Sequence, residues 1–327
     1  MSPTSTTPST VPIPLTRSSV PAPEADEVHV RRGALPREVA DFAHRLVHAA
    51  TAADGVSPLS EGAVKAVEAE EDSPVVHVWS DAGYANIVPG RDGEPSMIEA
   101  VVDPARRRRG HGRALLDAAF AAAPEPEGAG SPDGPGVRVW AHGDLPGAVA
   151  LAAAMGLQKR RELLQLRRPV GQGHELPELV VDPTISLRTY AGPADDAEIL
   201  RVNNAAFDWH PEQGGWSTEE ITERVTADWF DPEGLFLAFD ADDPDRLLGF
   251  HWTKMHDADL GEVYIVGVDP GAQGRGLGRL LTLAGLHHLA RQGVSEINLY
   301  VEGDNTAALH TYDRLGFTRY AVDVAYG

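Results

Sequence analysis

The chain has 327 residues, no cysteine and a formal net charge of −21. That length suits two domains of about 150 residues each, and the missing thiols exclude a disulfide framework, a thiolate metal centre and a cysteine nucleophile. So negative a chain argues against general binding to nucleic acid or anionic membranes, and no stretch reaches the roughly 18 apolar residues of a membrane span.

Residues 1–27 are rich in Pro, Ser and Thr and lack the apolar centre of a secretory signal, which predicts a flexible tail on a cytoplasmic protein. Val28 to Arg31 starts the first domain as a strand, and the Ala-rich run from Pro36 to Ala53 is a helix stopped at Asp54-Gly55. Val75 to Val88 divides into two strands around Asp81-Ala82-Gly83. Ile98 to Val102 is a strand, Arg113 to Ala123 a helix, and Glu125 to Gly136 a Pro/Gly/Glu loop. A strand at Val137 to Ala141, a helix at 146–155 and a strand near 160–168 close a domain of residues 28–168. A linker rich in Pro, Gly and Glu, 169–183, leads to a second domain, 184–327. This one begins with a strand at Ile185 to Arg188 and a helix from Asp195 to Phe207, followed by a polar-aromatic loop within 203–216. Ser217-Thr218-Glu219-Glu220 has the form of a capping box. Leu235 to Phe239 and Leu247 to Lys254 pair as strands. Strands at 262–268 and 296–301 alternate with helices at 279–292 and 305–314, and Arg319 to Ala325 is the last strand. Each domain reads as a mixed α/β unit with helices around a central sheet.

One stretch stands apart. The β-branched run Val263, Ile265, Val266, Val268 ends at Asp269-Pro270, where the missing proline N–H stops a strand. Gln273-Gly274-Arg275-Gly276-Leu277-Gly278 follows, then helix-forming Arg279-Leu280-Leu281. Glycines between a strand and a helix admit a ligand close to the backbone and expose the first N–H groups of the helix, which suits a pyrophosphate. A turn of this composition also serves purely structural ends, and its spacing fits neither a P-loop nor Gly-x-Gly-x-x-Gly.

The stretch occurs twice. Asp103-Pro104 and the run through Arg108, Arg109, Gly110, His111, Gly112 and Arg113 align without a gap on Asp269-Pro270 and the run through Arg279, a shift of 166 positions. Val137 to Asp144 aligns on Ile297 to Asp304, and Met155-Gly156-Leu157 on Leu315-Gly316-Phe317, both shifted by 160. A chance turn does not reproduce its surroundings, so the chain is a tandem duplication. At the Glu262 and Tyr312 positions the first domain carries Ser96 and Ala152 under this alignment.

Gln/Arg-x-x-Gly-x-Gly/Ala after a Val-rich strand resembles the acetyl-CoA pyrophosphate loop of the GNAT N-acetyltransferase superfamily. More specifically, Thr51 to Pro58, Trp140 to Gly143, Arg188 to Gly192, the 203–216 loop, Gly249 to Lys254 and Gly261 to Tyr264 resemble the mycothiol synthases, a family of tandem GNAT enzymes, from about residue 28 to the end. The resemblance implies acetylation of the cysteinyl α-amine of cysteinyl-glucosaminyl-inositol by acetyl-CoA, catalysed by the second domain. It implies Glu262 as base, directly or through water, and Tyr312 as the acid facing the departing sulfur. An unshifted glutamate is a weak base for an α-ammonium of pKa about 8, so partial burial or a water relay is expected. Substrate contacts carried over by position are Glu61, Glu212, Lys254, Glu262 and Tyr300, with Glu61 reaching across from the first domain. Acetyl-CoA contacts are Ala100, Val101, Val102 and Arg108, Arg109, Gly110, His111, Gly112, Arg113 in the first domain. In the second they are Val266, Gly267, Val268, then Gln273, Gly274, Arg275, Gly276, Leu277, Gly278, Arg279, then Asn305, Thr306, Ala307, Ala308, Leu309, His310. The N–H groups near Val266 to Val268 are expected to polarise the thioester carbonyl. No metal is implied, and a monomer is expected because the duplication already supplies a domain pair. Another amine, such as an aminoglycoside or a peptide N-terminus, and a CoA-sensing module without turnover remain the alternative readings.

Overall fold

The computed structural model describes residues 27–90, 95–124, 136–208 and 213–327; the expected tail at 1–26, the loop 125–135 and Trp209 to Glu212 lie outside them. The first half contains β1 (His29–Arg32), α1 (Arg37–Asp54), α2 (Glu61–Ala66), β2 (Val76–Ser80), β3 (Gly83–Val88), β4 (Ser96–Val102), α3 (His111–Ala122), β5 (Val137–His142), α4 (Pro146–Met155) and β6 (Lys159–Pro169). The second contains β7 (Ile185–Thr189), α5 (Asp196–Ala206), α6 (Thr218–Val225), β8 (Leu235–Asp240), β9 (Leu247–Met255), β10 (Leu260–Val268), α7 (Leu277–Arg291), β11 (Glu296–Glu302), α8 (Thr306–Arg314) and β12 (Thr318–Tyr326). The mixed α/β architecture matches the expectation, and the capping box at Ser217 and Glu220 is present at the start of α6. Among the described residues no helix is long and apolar enough to cross a membrane.

The duplication is visible in the packing. A Cβ on Gly83 would meet Leu115 and the Val101 carbonyl, each at 2.6 Å; one on Gly249 would meet Leu281 at 2.9 Å and the Gly267 carbonyl at 2.8 Å. Glycine at these equivalent positions lets α3 and α7 lie close on their sheets, placing the glycine loops that precede them.

Where the halves meet, the chain does something the local pattern does not disclose. All twelve strands form one sheet in the order β1-β2-β3-β4-β5-β12-β6-β11-β10-β9-β8-β7. The strand at 159–169, expected to close the first domain, pairs instead with β11 and β12, while β12 pairs with β5. The two last strands are thus exchanged. Leu164 and Leu166 of β6 enter a core with Leu299, Val301 and Phe317, and Val324 and Tyr326 of β12 enter one with Ile98, Leu115 and Val139. Each half completes its core with the other's last strand, and alternation along a strand names its apolar face but not its neighbour. The linker is pinned by buried Arg168, whose guanidinium donates to the carbonyls of Leu315, Pro169, His174 and Glu175.

A second feature opens both sites. The parallel ladder between β4 and β5 runs only from Ser96 to Ile98, and that between β10 and β11 only from Leu260 to Val263. Both β4 and β10 continue four or more residues further, so each half contains a splay that exposes one edge of its motif strand.

Candidate active site

The two glycine loops have the same backbone. Asp103 and Asp269 cap short 3₁₀ turns by accepting from the N–H two residues on, at 2.9 and 2.8 Å. Arg107 and Gln273 are extended, with φ/ψ of −63°/162° and −62°/160°. Arg108 and Gly274 are left-handed at φ 63° and 80°, as are Gly110 and Gly276 at 95° and 78°. The helix begins at the next residue in each case. A Cβ at Gly278 meets no protein atom within 4 Å, and its φ is not left-handed. Neither packing nor backbone strain demands glycine there.

The four-arginine run of the first loop divides by role. Arg107 makes a bidentate pair with Asp54, both contacts 2.7 Å, and Arg106 pairs with Asp81 at 2.9 Å. Those two brace the loop. Arg108 and Arg109 stand exposed, with no ion pair among the described residues. A cavity of about 620 Å³ fills the first splay, lined by Ala100, Val101 and Val102 on one side and Arg108, Gly110, His111, Gly112 and Arg113 on another. Of the acetyl-CoA contacts expected in the first half, Arg109 alone is missing from its lining. A smaller pocket of about 110 Å³ lies between Arg275, Gly276, Arg279 and the linker residues Leu179, Val180 and Asp182. Glu262 lines neither volume.

Glu262 and its neighbours sit at the base of the second splay. Glu262 is 7% exposed on β10 and directly opposite Lys254 of β9. Its Oε2 lies 2.7 Å from Nε2 of His256. The Lys254 ammonium stands 4.9 Å from the Trp229 ring centre and 5.5 Å from that of Tyr264, which holds its long chain in place. Tyr300 of β11 is half exposed and its hydroxyl accepts from Gln165 at 2.9 Å; burial, then repulsion from Glu262 and Asp323, raises its pKa. Glu61 comes from the first half. Its carboxylate pairs with Lys65 at 3.0 Å, and its pKa is held down by Lys65 first and then by Lys254 and His256, which places it within electrostatic reach of the second-half cluster. Glu61, Lys254, Glu262 and Tyr300 therefore converge, while Glu212 lies outside the described residues.

Tyr312 lies on α8, nine-tenths buried, with its ring edge-on to Phe317 at 5.7 Å. Burial pushes its phenol up to about 12, so it stays protonated at neutral pH. At the head of α8, Asn305 caps the helix by accepting from the Ala308 N–H at 3.1 Å. The next residues, Thr306 to His310, form the first turns beyond it.

Three features were not read from the sequence. One is a bulge: the β9–β10 register shifts between Val263 and Ile265, leaving Tyr264 without an opposite residue. It corrects the internal alignment, because Glu262 pairs with Lys254 and Asn298 whereas the first-half residue in that register, paired with Val88 and Arg138, is Met97 rather than Ser96. The first half still lacks a carboxylate at this point, and Ala152 stands buried where α8 has Tyr312. Another is His256, brought back onto Glu262 by the turn at Asp257, whose carboxylate accepts from the N–H groups of Asp259 and Leu260, both at 2.8 Å. An Asp-x-Asp after a strand is the only sequence signal for it. The third is a buried network: His142 of β5 contacts Glu99 of β4 at 2.9 Å and Asp323 of β12 at 3.2 Å. Glu99 in turn accepts from the Ser60 N–H and hydroxyl at 2.5 and 2.7 Å, and Ser60 caps α2, the helix that presents Glu61.

Known proteins place this arrangement. Residues 202–317 match the model of the acetyltransferase (GNAT) family. The chain is similar to a mycothiol acetyltransferase of Gordonia bronchialis, 74% identical over 286 residues, which cover 87% of this chain and 90% of the relative. It is similar also to one of Nocardia farcinica, 56% identical over 300 residues and covering 89% and 95% of the two chains. Among solved structures, a GCN5-related N-acetyltransferase from Sphaerobacter thermophilus superposes with a TM-score of 0.68 at 22% identity, over 91% of this chain and 94% of that one. At that identity it speaks for the fold alone.

Proposed function

The chain belongs to the mycothiol acetyltransferase family, and from that premise we propose that it transfers the acetyl group of acetyl-CoA to the cysteinyl α-amine of cysteinyl-glucosaminyl-inositol, giving mycothiol. The observation that carries this reading is the convergence of Lys254, Tyr300 and the buried Glu262 with Glu61 from the other half. Carboxylates suit an ammonium and sugar hydroxyls, and the lysine and tyrosine add donors for the remaining oxygens.

Catalysis falls to the second half. Glu262 takes the proton that the ammonium must lose before nitrogen attacks the thioester carbonyl. The splay beyond Val263 leaves the edge of β10 out of the ladder, and its N–H groups near Val266 to Val268 are positioned to stabilise the oxyanion that develops. Tyr312 supplies a proton to the departing thiolate, and the second proton that nitrogen sheds on becoming the amide restores the phenol. A phenol near 12 is a weaker acid than a thiol of about 8.5 in water, but the burial that lifts the phenol lifts the thiolate beside it as well. The second glycine loop, Gln273 to Arg279, holds the pyrophosphate, and Asn305 to His310 flank the pantetheine arm. None of these steps asks for a metal. We assign the first half, 28–168, a binding role without turnover: its cavity takes a second acetyl-CoA and its α2 completes the substrate pocket. The linker 169–183 joins it to the catalytic unit, 184–327, in a monomeric cytoplasmic protein.

The test is release of free thiol from acetyl-CoA with cysteinyl-glucosaminyl-inositol, with mass spectrometry of the product, beside aminoglycosides and peptides. A saturable, singly acetylated product from that amine alone is expected. Turnover only on another amine would discard the substrate and keep the chemistry; acetyl-CoA binding without turnover on any amine would leave a sensor.

A further inference from the structure

Glu262 is buried and has to be rid of one proton per turnover. Its one side-chain partner among the described residues, His256, differs from it in one respect that matters: the imidazole is 36% exposed, against 9% for the carboxylate. The pair spans the boundary between the closed base of the pocket and solvent, with Nε2 on the inner side at 2.7 Å from Oε2. The ring is not placed by chance. The His256 N–H donates to the Leu260 carbonyl at 3.0 Å, and the Asp257 carboxylate locks the turn between the strands. The charged groups facing it are Glu262 on β10, Lys254 two residues back on β9, and Glu61 with its partner Lys65 on α2.

Building on the role given to Glu262 above, we infer that His256 is a positioning and proton-exit residue for that base. In its first task it orients the carboxylate through Nε2. In its second, the ammonium N–H breaks as an O–H forms on Glu262; that O–H breaks as an N–H forms at Nε2 of the imidazole tautomer that carries its proton on Nδ1; the imidazolium gives up its Nδ1 proton to water, and exchange of the ring protons with water returns the ring to that tautomer. The carboxylate is regenerated and the net result is one proton delivered to solvent. An imidazole is suited to this, since it can both accept a proton from a carboxylic acid and pass one on to water. The relay also accounts for how a nearly closed glutamate can serve as base with no channel of its own.

The experiment uses the full chain and whichever amine of the panel the wild type acetylates. His256→Gln keeps a donor for Oε2 but cannot carry a proton; His256→Ala keeps neither. We expect kcat of the Gln variant to fall about tenfold with KM within about threefold, and the acid limb of its pH profile to change. Imidazole added to the Ala variant should restore kcat in proportion to its free-base fraction, a response that a merely structural side chain does not produce. Wild-type kcat and an unchanged acid limb in the Gln variant would overturn the inference. So would full activity in Gln, loss in Ala and no rescue by imidazole, which would reduce His256 to a prop. Turnover by the wild type on a different amine leaves this inference standing and removes only the proposed substrate; no turnover on any amine overturns both.

Discussion

The two glycine loops follow one path through the backbone, yet the halves around them differ in what they enclose. In the first, the end of α1, α3, α4 and the splay close around a cavity of about 620 Å³, and the residue in register with Glu262 is Met97. In the second, a bulge at Tyr264 turns β10, and a buried glutamate faces a lysine at the base of the splay. The glycine loop was kept in both copies, whereas the buried glutamate and the α8 tyrosine stand in one. Binding acetyl-CoA requires only backbone donors and a groove, so it survives any substitution that spares the loop. Acyl transfer requires a base and an acid on opposite sides of one carbonyl, and each depends on a single side chain.

The most severe test of that division is Glu262→Gln. Removing the base should lower kcat about 10³-fold at pH 7 and less at pH 9, where more of the amine is already neutral. Equal losses at both pH values would show that the carboxylate binds rather than deprotonates. The first half should be indifferent: Met97→Gln should leave turnover near wild type.

His142→Gln tests whether the halves are independent. Burial alone would lower the imidazole's pKa, but hydrogen bonds and charge from Asp323 and Glu99 outweigh it and raise the group to about 9. A histidine raised in the folded state stabilises the fold fully below its unfolded value of about 6.5 and ceases to as pH climbs through about 9. Breaking this buried cluster should therefore cost about 3 kcal/mol at pH 6, and the melting-temperature gap between variant and wild type should narrow by pH 10. Because Glu99 also holds Ser60 and the start of α2, KM for the amine should rise with little change in kcat. A gap that is constant with pH would mean that the imidazole is neutral.

Tyr312→Phe is expected to be milder than loss of the base. The hydroxyl is buried and the ring is packed on Phe317, so phenylalanine fills the same space and stability should hold. About 10²-fold should be lost from kcat, with acetyl-CoA affinity preserved. Activity close to wild type would hand the acid's role to water.

How far all this was legible depends on the range of the interaction. The elements, the duplication and both loops follow from neighbours in the chain, such as Asp-Pro followed by alternating glycines. The exchange of β6 and β12 does not, because Leu164 and Leu166 would serve either core equally well. His256 was missed for a related reason: its role arises from a turn that folds it back on a residue six positions on. The bulge hid inside a strand of uniformly apolar character, where one extra residue leaves no mark on composition but shifts Ser96 out of register with Glu262. The cluster of Glu99, His142 and Asp323 joins three strands and both halves, and nothing local marks any of the three.

The smallest effect is the most pointed comparison of the two loops. Arg108 and Gly274 occupy the same position at φ 63° and 80°. A side chain there carries a backbone penalty of about 1 kcal/mol that glycine escapes, and Gly274 shows that the loop accepts glycine. Strain retained at an exposed arginine with no ion pair among the described residues points to a ligand, since the fold gains nothing from it. Arg108→Gly should then leave the melting temperature unchanged or up to about 3 °C higher, because relief of strain offsets the greater freedom of glycine in the unfolded chain. Acetyl-CoA binding to the first half, followed by calorimetry in the Glu262→Gln background so that nothing turns over, should weaken several-fold while the second site is unaffected. A lower melting temperature with unchanged binding would make the arginine a structural brace like Arg107, and the first loop would lose its one charged contact of its own.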